Sequence, residues 1–422
     1  MKKDLYQLMD ENSLDALWIS GPAHHNAAMR YFTGEGHLSQ ADLFLVKGKA
    51  PILFHSTMER EEAAQTGLET RDLKQYNLVE LLKETDGDVV LAAARMYRKL
   101  LEDLALEEAR IALYGKREVS AVWGVLTHLQ KMLPALELIG EGRNSIMLQA
   151  RATKDKEELE RIREMGRRTT AVVAKVARFL QTRDVRSDEV LLDESQQPLT
   201  VQAVKTKINR WLAEENLENP EGVIFAQGRD AGIPHSAGTA NDEIRLGKTI
   251  VFDIFPCEKG GGYFFDFTRT WCLGYAPEPA QQIYRDVKKV YHEIMSRIEP
   301  DQLASDLQEE TCRLFEDLGH QTVRQDPKIE EGYVHSLGHG LGLDVHERPW
   351  FGRGATDQDR LSPGTVVTIE PGLYYPEQGM GCRIEDTVAV GASGEVELLG
   401  NFPYDLVLAM ENASPTNFSR ED

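Results

Sequence analysis

The sequence predicts two domains of mixed composition: an α/β layer domain over residues 1–149, then a larger α+β domain over 150–422. Three observations predict this. Short apolar runs alternate with helical periods through the first ~150 residues, one uninterrupted amphipathic run begins at Lys154, and beyond Gly222 the chain turns to β-like segments punctuated by glycine. A chain of 422 residues also exceeds what a single core usually supports.

In the first domain the candidate strands are Ala16–Ser20, Asp42–Val46, Pro51–Phe54, Asp88–Ala93 and Arg110–Tyr114. The candidate helices are Asp4–Glu11, Thr57–Ala64, Met96–Leu106 and Glu118–Lys131, each with helix formers and apolar residues three and four apart. The run KDKEELERIREMGRRTTAVVAKVARFL puts apolar residues at 159, 162, 165, 172, 173, 176 and 180 on one helical face, and so opens the second domain. Polar Val185–Pro198 reads as a loop and Val201–Glu215 as a helix. KTIVFDIFP and YFFDFTRTW, joined through EKGGG, read as a hairpin. After a helical block from Ala280 to Leu318, TVVTIEPGLYY and CRIEDTVAV read as a second strand pair.

Composition narrows the function classes. A net charge of -21 repels phosphate backbones and anionic membrane surfaces, so no nucleic-acid or membrane partner is expected. No apolar run nears the ~20 residues that span a bilayer, and the first residues do not form a signal-peptide block, so a cytoplasmic protein is expected. Cysteines 257, 272, 312 and 382 lie far apart, without paired zinc-ligand spacing, and read as reduced thiols.

Chemistry concentrates in the glycine-punctuated strands. Asp253 shares a strand face with Val251 and Phe255, and Asp266 shares one with Phe264 and Thr268. A hairpin makes two aspartates neighbours among Val, Ile and Phe, where mutual repulsion and burial both penalise ionisation. Glu370 and Glu385 repeat the situation in the second pair. A cation among them removes the cost. Histidines cluster in IPHSAGT (His235) and HSLGHGLGLDVHERP (His335, His339, His346). His335 and His339 stand four apart, but Gly338, Gly340 and Gly342 oppose a helix and no Glu follows His335, which excludes H-E-x-x-H. Carboxylates in the majority, with one imidazole, suit Mn, Co, Fe or Zn. Two such ions ~3.5–4 Å apart activate water and polarise a carbonyl, the natural chemistry of amide hydrolysis.

Ordered motifs then carry a family resemblance: RATKDKEELERIR, IPHSAGT, the Asp253 strand followed by DFTRTW, HSLGHGLGLDVHERP, TIEPGLYY and GCRIEDTVAV. These resemble the pita-bread (M24) metallopeptidases, especially Xaa-Pro aminopeptidases and Xaa-Pro dipeptidases (prolidases). LDALWIS and MRYFTGEG add a weaker likeness to their creatinase-like N-terminal domain. The implied fold is an α/β N-terminal domain followed by an α+β pita-bread (creatinase/aminopeptidase) catalytic domain.

The resemblance implies two divalent metal ions per subunit, most readily Mn, held by Asp253, Asp266, His339, Glu370 and Glu385, with Asp266 and Glu385 bridging. It makes Glu370 the proton acceptor, His235 and His346 donors to the scissile carbonyl and oxyanion, His335 a wall for the proline ring and Arg383 the side chain that orients the bridging carboxylates. Short peptides with proline in second position and a homodimer are implied as partners. Three departures stand out. Phe255 replaces a glycine usual two residues after the first aspartate, and the loop from Asp253 to Asp266 is two residues longer than usual. Trp350 replaces an arginine that dipeptidases often carry after H-E-x-P, leaving Arg348 or an arginine of the first domain as a substitute; this favours release of an N-terminal residue by an aminopeptidase. The alternatives are an Xaa-Pro dipeptidase and a non-enzymatic binding protein on the same fold.

Overall fold

In the computed structural model, which describes residues 4–412, the chain divides into two units: residues up to Ala150 with Gly260–Gly262, and Arg151–Lys259 with Tyr263 onward. The first is built on a six-stranded mixed sheet of β1 (Ala16–Gly21), β2 (Ala41–Val46), β3 (Ile52–His55), β4 (Glu69–Asp72), β5 (Arg110–Gly115) and β6 (Glu137–Gly140), in the order β4-β3-β2-β1-β5-β6. Alternation along β1 and β2 serves two cores. Ala16, Trp18, Phe44 and Val46 face a cluster that includes helix residues Met96, Leu100 and Leu129, whereas Leu17 and Leu45 face Leu5, Met9 and Met147.

Two expectations fail in this unit. Asp88–Ala93 is not a strand, and Met96–Leu106 is not a separate helix; both belong to one helix, Val89–Leu104. Asp88 is its N-cap, accepting from Val90 N and Leu91 N, so the VVLAAA run that reads as buried strand is the first turns of a helix. Conversely, β4 and β6 are strands the apolar pattern does not disclose. β4 reads Glu-Thr-Arg-Asp and lies at the sheet edge, parallel to β3, where polar residues are tolerated. Thr57–Ala64 forms as a 3-10 turn, Thr57–Glu59, followed by helix Arg60–Gln65.

The second unit opens with helix Lys156–Gln181, started by a capping box in which Asp155 accepts from Glu158 N and the Glu158 side chain returns to Asp155 N. Helices Val201–Glu214, Glu278–Met295 and Ala304–Asp317 pack outside the sheets. Thr249–Ile254 is a fully buried strand between Val223–Gln227 and Phe267–Leu273, antiparallel to both. The second strand pair is not one hairpin. Val366–Ile369 pairs with Asp386–Val390, while Gly372–Tyr375 pairs with Met380–Arg383 in a separate ladder. The change of ladder falls at Glu370-Pro371 and Ile384-Glu385, where proline has no N–H to offer. All four cysteines are buried free thiols. Among the described residues no helix is long and apolar enough to cross a membrane.

Candidate metal centre

Asp253 sits one residue from the end of its strand, opposite Thr268 on one side and Ile224 on the other. Asp266 immediately precedes the neighbouring strand, its carbonyl accepting from Thr387 Oγ1 at 2.7 Å. Glu370 and Glu385 occupy the two points where the ladders change partner, so their backbones bond elsewhere: Glu370 N donates to Leu337 O (2.8 Å) and Glu385 N to Thr268 O (3.1 Å).

His339 enters on the short strand His339–Gly340, flanked by glycines that the close approach of backbones requires. A Cβ on Gly338 would lie 2.0 Å from Thr368 O, and one on Gly340 1.9 Å from Arg348 O. The imidazole Nδ1 meets Gly340 O at 3.1 Å. Donation there leaves the Nε2 lone pair facing the acids, 3.6 Å from Asp266 Oδ2 and 3.5 Å from Glu370 Oε1. Ligand atoms of Asp266, His339 and Glu385 all lie within 4.8 Å of one another.

The electrostatics are those of an acid cluster that one cation, Arg383, only partly compensates. Burial, then the charges of Glu385, Asp253 and Glu370, push Asp266 well above the usual carboxylate range. Burial, then Glu370 and Asp253, do the same to Glu385. Burial pushes Glu370 up to about 8 against the pull of Arg383. Burial, assisted by His346, holds His339 down at about 3, a neutral ligand. Asp253 Oδ1 and Asp266 Oδ1 are buried with no hydrogen-bond partner. Orphaned buried carboxylate oxygens beside a neutral imidazole are what a divalent cation satisfies, so these residues fit such an ion.

Arg383 organises the surround, donating to Asp253 Oδ2 (2.5 Å), Thr268 Oγ1 (3.2 Å), Tyr374 OH (2.7 Å) and Pro234 O (3.3 Å). It therefore bonds Asp253 directly, and reaches the expected bridging residue Glu385 through Thr268, whose hydroxyl donates to Glu385 Oε2 at 2.6 Å. Tyr374 OH in turn meets His335 Nε2 at 2.8 Å. Burial and Arg383 hold His335 at about 3, and its Nδ1 meets Ser336 O at 2.7 Å, so the ring is neutral and locked. The His346 ring lies 4.3 Å from that of His339. His235 and His346 are the more exposed of the singled-out residues, yet His235 is near enough to help depress both His335 and His346.

Sequence reasoning missed Thr268, Thr368, Thr387 and Tyr374. Thr368 Oγ1 receives His339 N at 3.1 Å and bonds Glu370 Oε1 at 3.3 Å. A signal existed for the threonines, each two residues from a candidate ligand on the same strand face; for Tyr374 there was none.

A family model described as Metallopeptidase family M24 matches residues 160–392, more than half of the chain. The chain belongs to this family. The N-terminal part of this M24 peptidase, residues 2–141, matches the Creatinase/Prolidase N-terminal domain. An Xaa-Pro dipeptidase of Pyrococcus furiosus is 25% identical over 398 residues, 93% of this chain and 96% of that one. Among solved structures, the prolidase from Pyrococcus horikoshii OT3 superposes with a TM-score of 0.71 at 22% identity, covering 96% of this chain and 99% of that one. An X-Pro aminopeptidase from Thermotoga maritima superposes at 0.70 with 21% identity, covering 94% and 98%. The M24 peptidase thus has the creatinase-like domain followed by the pita-bread domain.

Proposed function

We propose that this M24 peptidase is an Xaa-Pro dipeptidase, with Asp253, Asp266, His339, Glu370 and Glu385 holding two divalent cations, Mn first among Mn, Co, Zn and Fe. The observation that carries the choice is nearly full-length similarity to chains named Xaa-Pro dipeptidase, at 25% and 26% identity over 93% and 94% of this chain. This moves the reading away from the aminopeptidase that the sequence motifs favour.

When bound, such a pair supplies a nucleophilic water near neutral pH and polarises the carbonyl. The chain's own residues do the rest. Glu370, which gives up its proton when metal loads, would accept the water proton and return it to the departing proline nitrogen. His346 and His235, at the open side of the cluster, donate to the carbonyl oxygen as it gains charge. His335, neutral and held by Tyr374 and Ser336, offers a rigid apolar wall to a ring that has no N–H to recognise. Arg383 keeps Asp253 and, through Thr268, Glu385 in ligating orientation.

The aminopeptidase remains as second reading because Trp350 occupies the place of the carboxylate-binding arginine. Arg348 is no substitute: it is 2% exposed, with Nε on Asp359 Oδ1 at 2.9 Å and its other nitrogens on Gln358 and Thr356. Hydrolysis of Ala-Pro against Ala-Pro-Ala by the Mn-loaded chain separates the two. Faster turnover of the dipeptide is expected; a tripeptide preference of tenfold or more would overturn the choice.

A further inference from the structure

The strand Gly372–Tyr375 ends in two consecutive tyrosines, whose side chains leave opposite faces. Tyr374 points inward, its hydroxyl between Arg383 Nη1 (2.7 Å) and His335 Nε2 (2.8 Å). Tyr375 points the other way, and its hydroxyl meets His320 Nδ1 at 2.6 Å. His320 Nε2 in turn meets Asp286 Oδ2, on helix Glu278–Met295, at 3.2 Å. Gln282 Nε2 donates to both oxygens of that carboxylate, at 3.1 and 3.0 Å. A carboxylate that accepts at both oxygens leaves His320 to donate through Nε2 and to receive the Tyr375 hydroxyl on Nδ1. Burial, then Glu331 and Asp286, push Tyr375 up to about 12, which keeps it protonated and a donor. The Asp286 and His320 side chains are 10% and 13% exposed, so water competes little for these bonds.

This outer contact matters because the ladder it grips is small. Gly372–Tyr375 and Met380–Arg383 form a sheet of two strands, and such a ladder is marginal without outside support. The Met380–Arg383 arm is tied to its surroundings by Gly381 N on Thr249 Oγ1 (3.2 Å) and Arg383 N on Thr270 Oγ1 (2.9 Å). The other arm is tied by Gly332, which exchanges two backbone bonds with Tyr374 (2.9 and 3.1 Å), and by His320. These two ties converge. Gln321, next in the chain after His320, accepts from Tyr333 N at 2.9 Å and presses on Gly332, where a Cβ would lie 2.3 Å from Gln321 O. The rings of Tyr333 and Tyr374 stand 5.6 and 5.3 Å from that of His335. His320 therefore fastens the backbone on which both tyrosines beside His335 stand.

We propose that His320 is a positioning residue for proline selectivity: held by Asp286, it pins Tyr375 and so fixes the Tyr374 hydroxyl that orients His335. The proposal rests on the reading of His335 as the wall for the proline ring. His320 acts through hydrogen bonds and one strand, without touching substrate. Once it lets go, Tyr374 shifts, the His335 ring follows, and the pocket fits proline less closely. That contact is made in ground state and transition state alike, so its loss raises KM and spares kcat.

The test measures kcat and KM for Ala-Pro, and the inhibition constant of Ala-Ala competing with it, in excess Mn so that the cations stay loaded. Tyr375→Phe removes only the hydroxyl, and His320→Gln carries its amide to the Nε2 position, within reach of Asp286 but not of Tyr375. Each should raise KM for Ala-Pro about fivefold to tenfold, a fraction of the ~100-fold that a 1 Å misplacement can cost. The value for Ala-Ala, which has no ring to place, and kcat should each change less than about twofold. His320→Asn puts its amide at the Nδ1 position, where it still receives the Tyr375 hydroxyl, and should keep KM within about threefold of wild type. His335→Ala is the reference and should raise KM for Ala-Pro alone; if it does not, the reading of the wall fails and the proposal with it. A rise in His335→Ala while Tyr375→Phe and His320→Gln match wild type overturns the proposal and leaves the reading standing. Equal losses on Ala-Pro and Ala-Ala, or a loss in kcat with KM unchanged, also overturn it, since they mark general loosening. Tyr375→Phe carries the test if His320→Gln does not fold, and Ala-Pro-Ala against Ala-Ala-Ala serves in the same way if the chain prefers tripeptides.

Discussion

The substitution Asp266→Asn should stabilise the metal-free protein while removing its function. Ligand oxygens of Asp266 and Glu385 lie no more than 4.8 Å apart, and two unit charges at that distance repel by about 3.5 kcal/mol at an effective dielectric of ~20. The folded-state values of Asp266 and Glu385 are raised, and that of Glu370 reaches about 8. An unfolded carboxylate titrates near ~4. The folded chain therefore binds more protons than the unfolded one between those limits, and its metal-free stability falls as pH rises through them. The amide introduced at this position would keep the hydrogen-bonding shape of the protonated acid without its charge. The expected gain is about 3 kcal/mol near pH ~8, or roughly 6 °C in melting temperature for a unit of this size, shrinking toward nothing near pH ~5. The assay is thermal unfolding of chelator-treated wild type and variant across that range, followed by reloading with Mn and measurement of Ala-Pro turnover. A variant that is less stable at high pH, gains equally at low pH, or still hydrolyses peptide would refute the reasoning.

Further outcomes follow from the same geometry. Loading metal near pH ~7 should release protons, because Glu370 at about 8 is largely protonated beforehand; calorimetry in two buffers of different ionisation enthalpy reads the number, and zero would contradict the assignment of Glu370 as a ligand. Thr268→Val removes the hydroxyl on Glu385 Oε2 and should weaken metal affinity about 10–100-fold, measured by competition with a chelating dye, with kcat changing less than affinity. Glu347→Gln removes the buried anion that Arg151 and Lys154 share and leaves Arg151 only the more exposed Asp344, at a cost of about 3 kcal/mol in chemical denaturation. Arg151 and Lys154 hold Glu347 at about 2. The folded value thus lies below the unfolded one, so wild type keeps this contribution above pH ~4.5 and loses it as pH falls toward 2, a slope that the variant should lack.

Legibility followed burial. The four candidate carboxylates stood out because an acid inside VVTIEPG or KTIVFDIFP contradicts its apolar surroundings, and contradiction is a signal; His339 was singled out among the histidines only by the family resemblance. Thr268 and Thr368 carried only their spacing of two from a candidate ligand as a signal, because threonine is an ordinary strand residue whose hydroxyl declares its partner only in three dimensions. Phe255, the expected departure near Asp253, leaves that strand fully buried and in register with Phe267–Leu273. In the first unit the period-two runs of β1, β2 and β5 were legible. Asp88–Ala93 was misread because a short apolar run suits a strand and a buried helix turn equally, and the deciding residue was its cap, Asp88. Arg348 looked free in sequence and is spent on Asp359, a partner eleven positions away that no local pattern reveals.

One side chain, Arg383, grips Asp253 with one nitrogen and Tyr374, hence His335, with another. In the function proposed above, selectivity for the ring and retention of the ions would therefore be mechanically linked. On that proposal, a laboratory that reshapes the His335 wall to admit other residues would loosen the cations unless it rebuilt this joint as well, and evolution would face the same coupling.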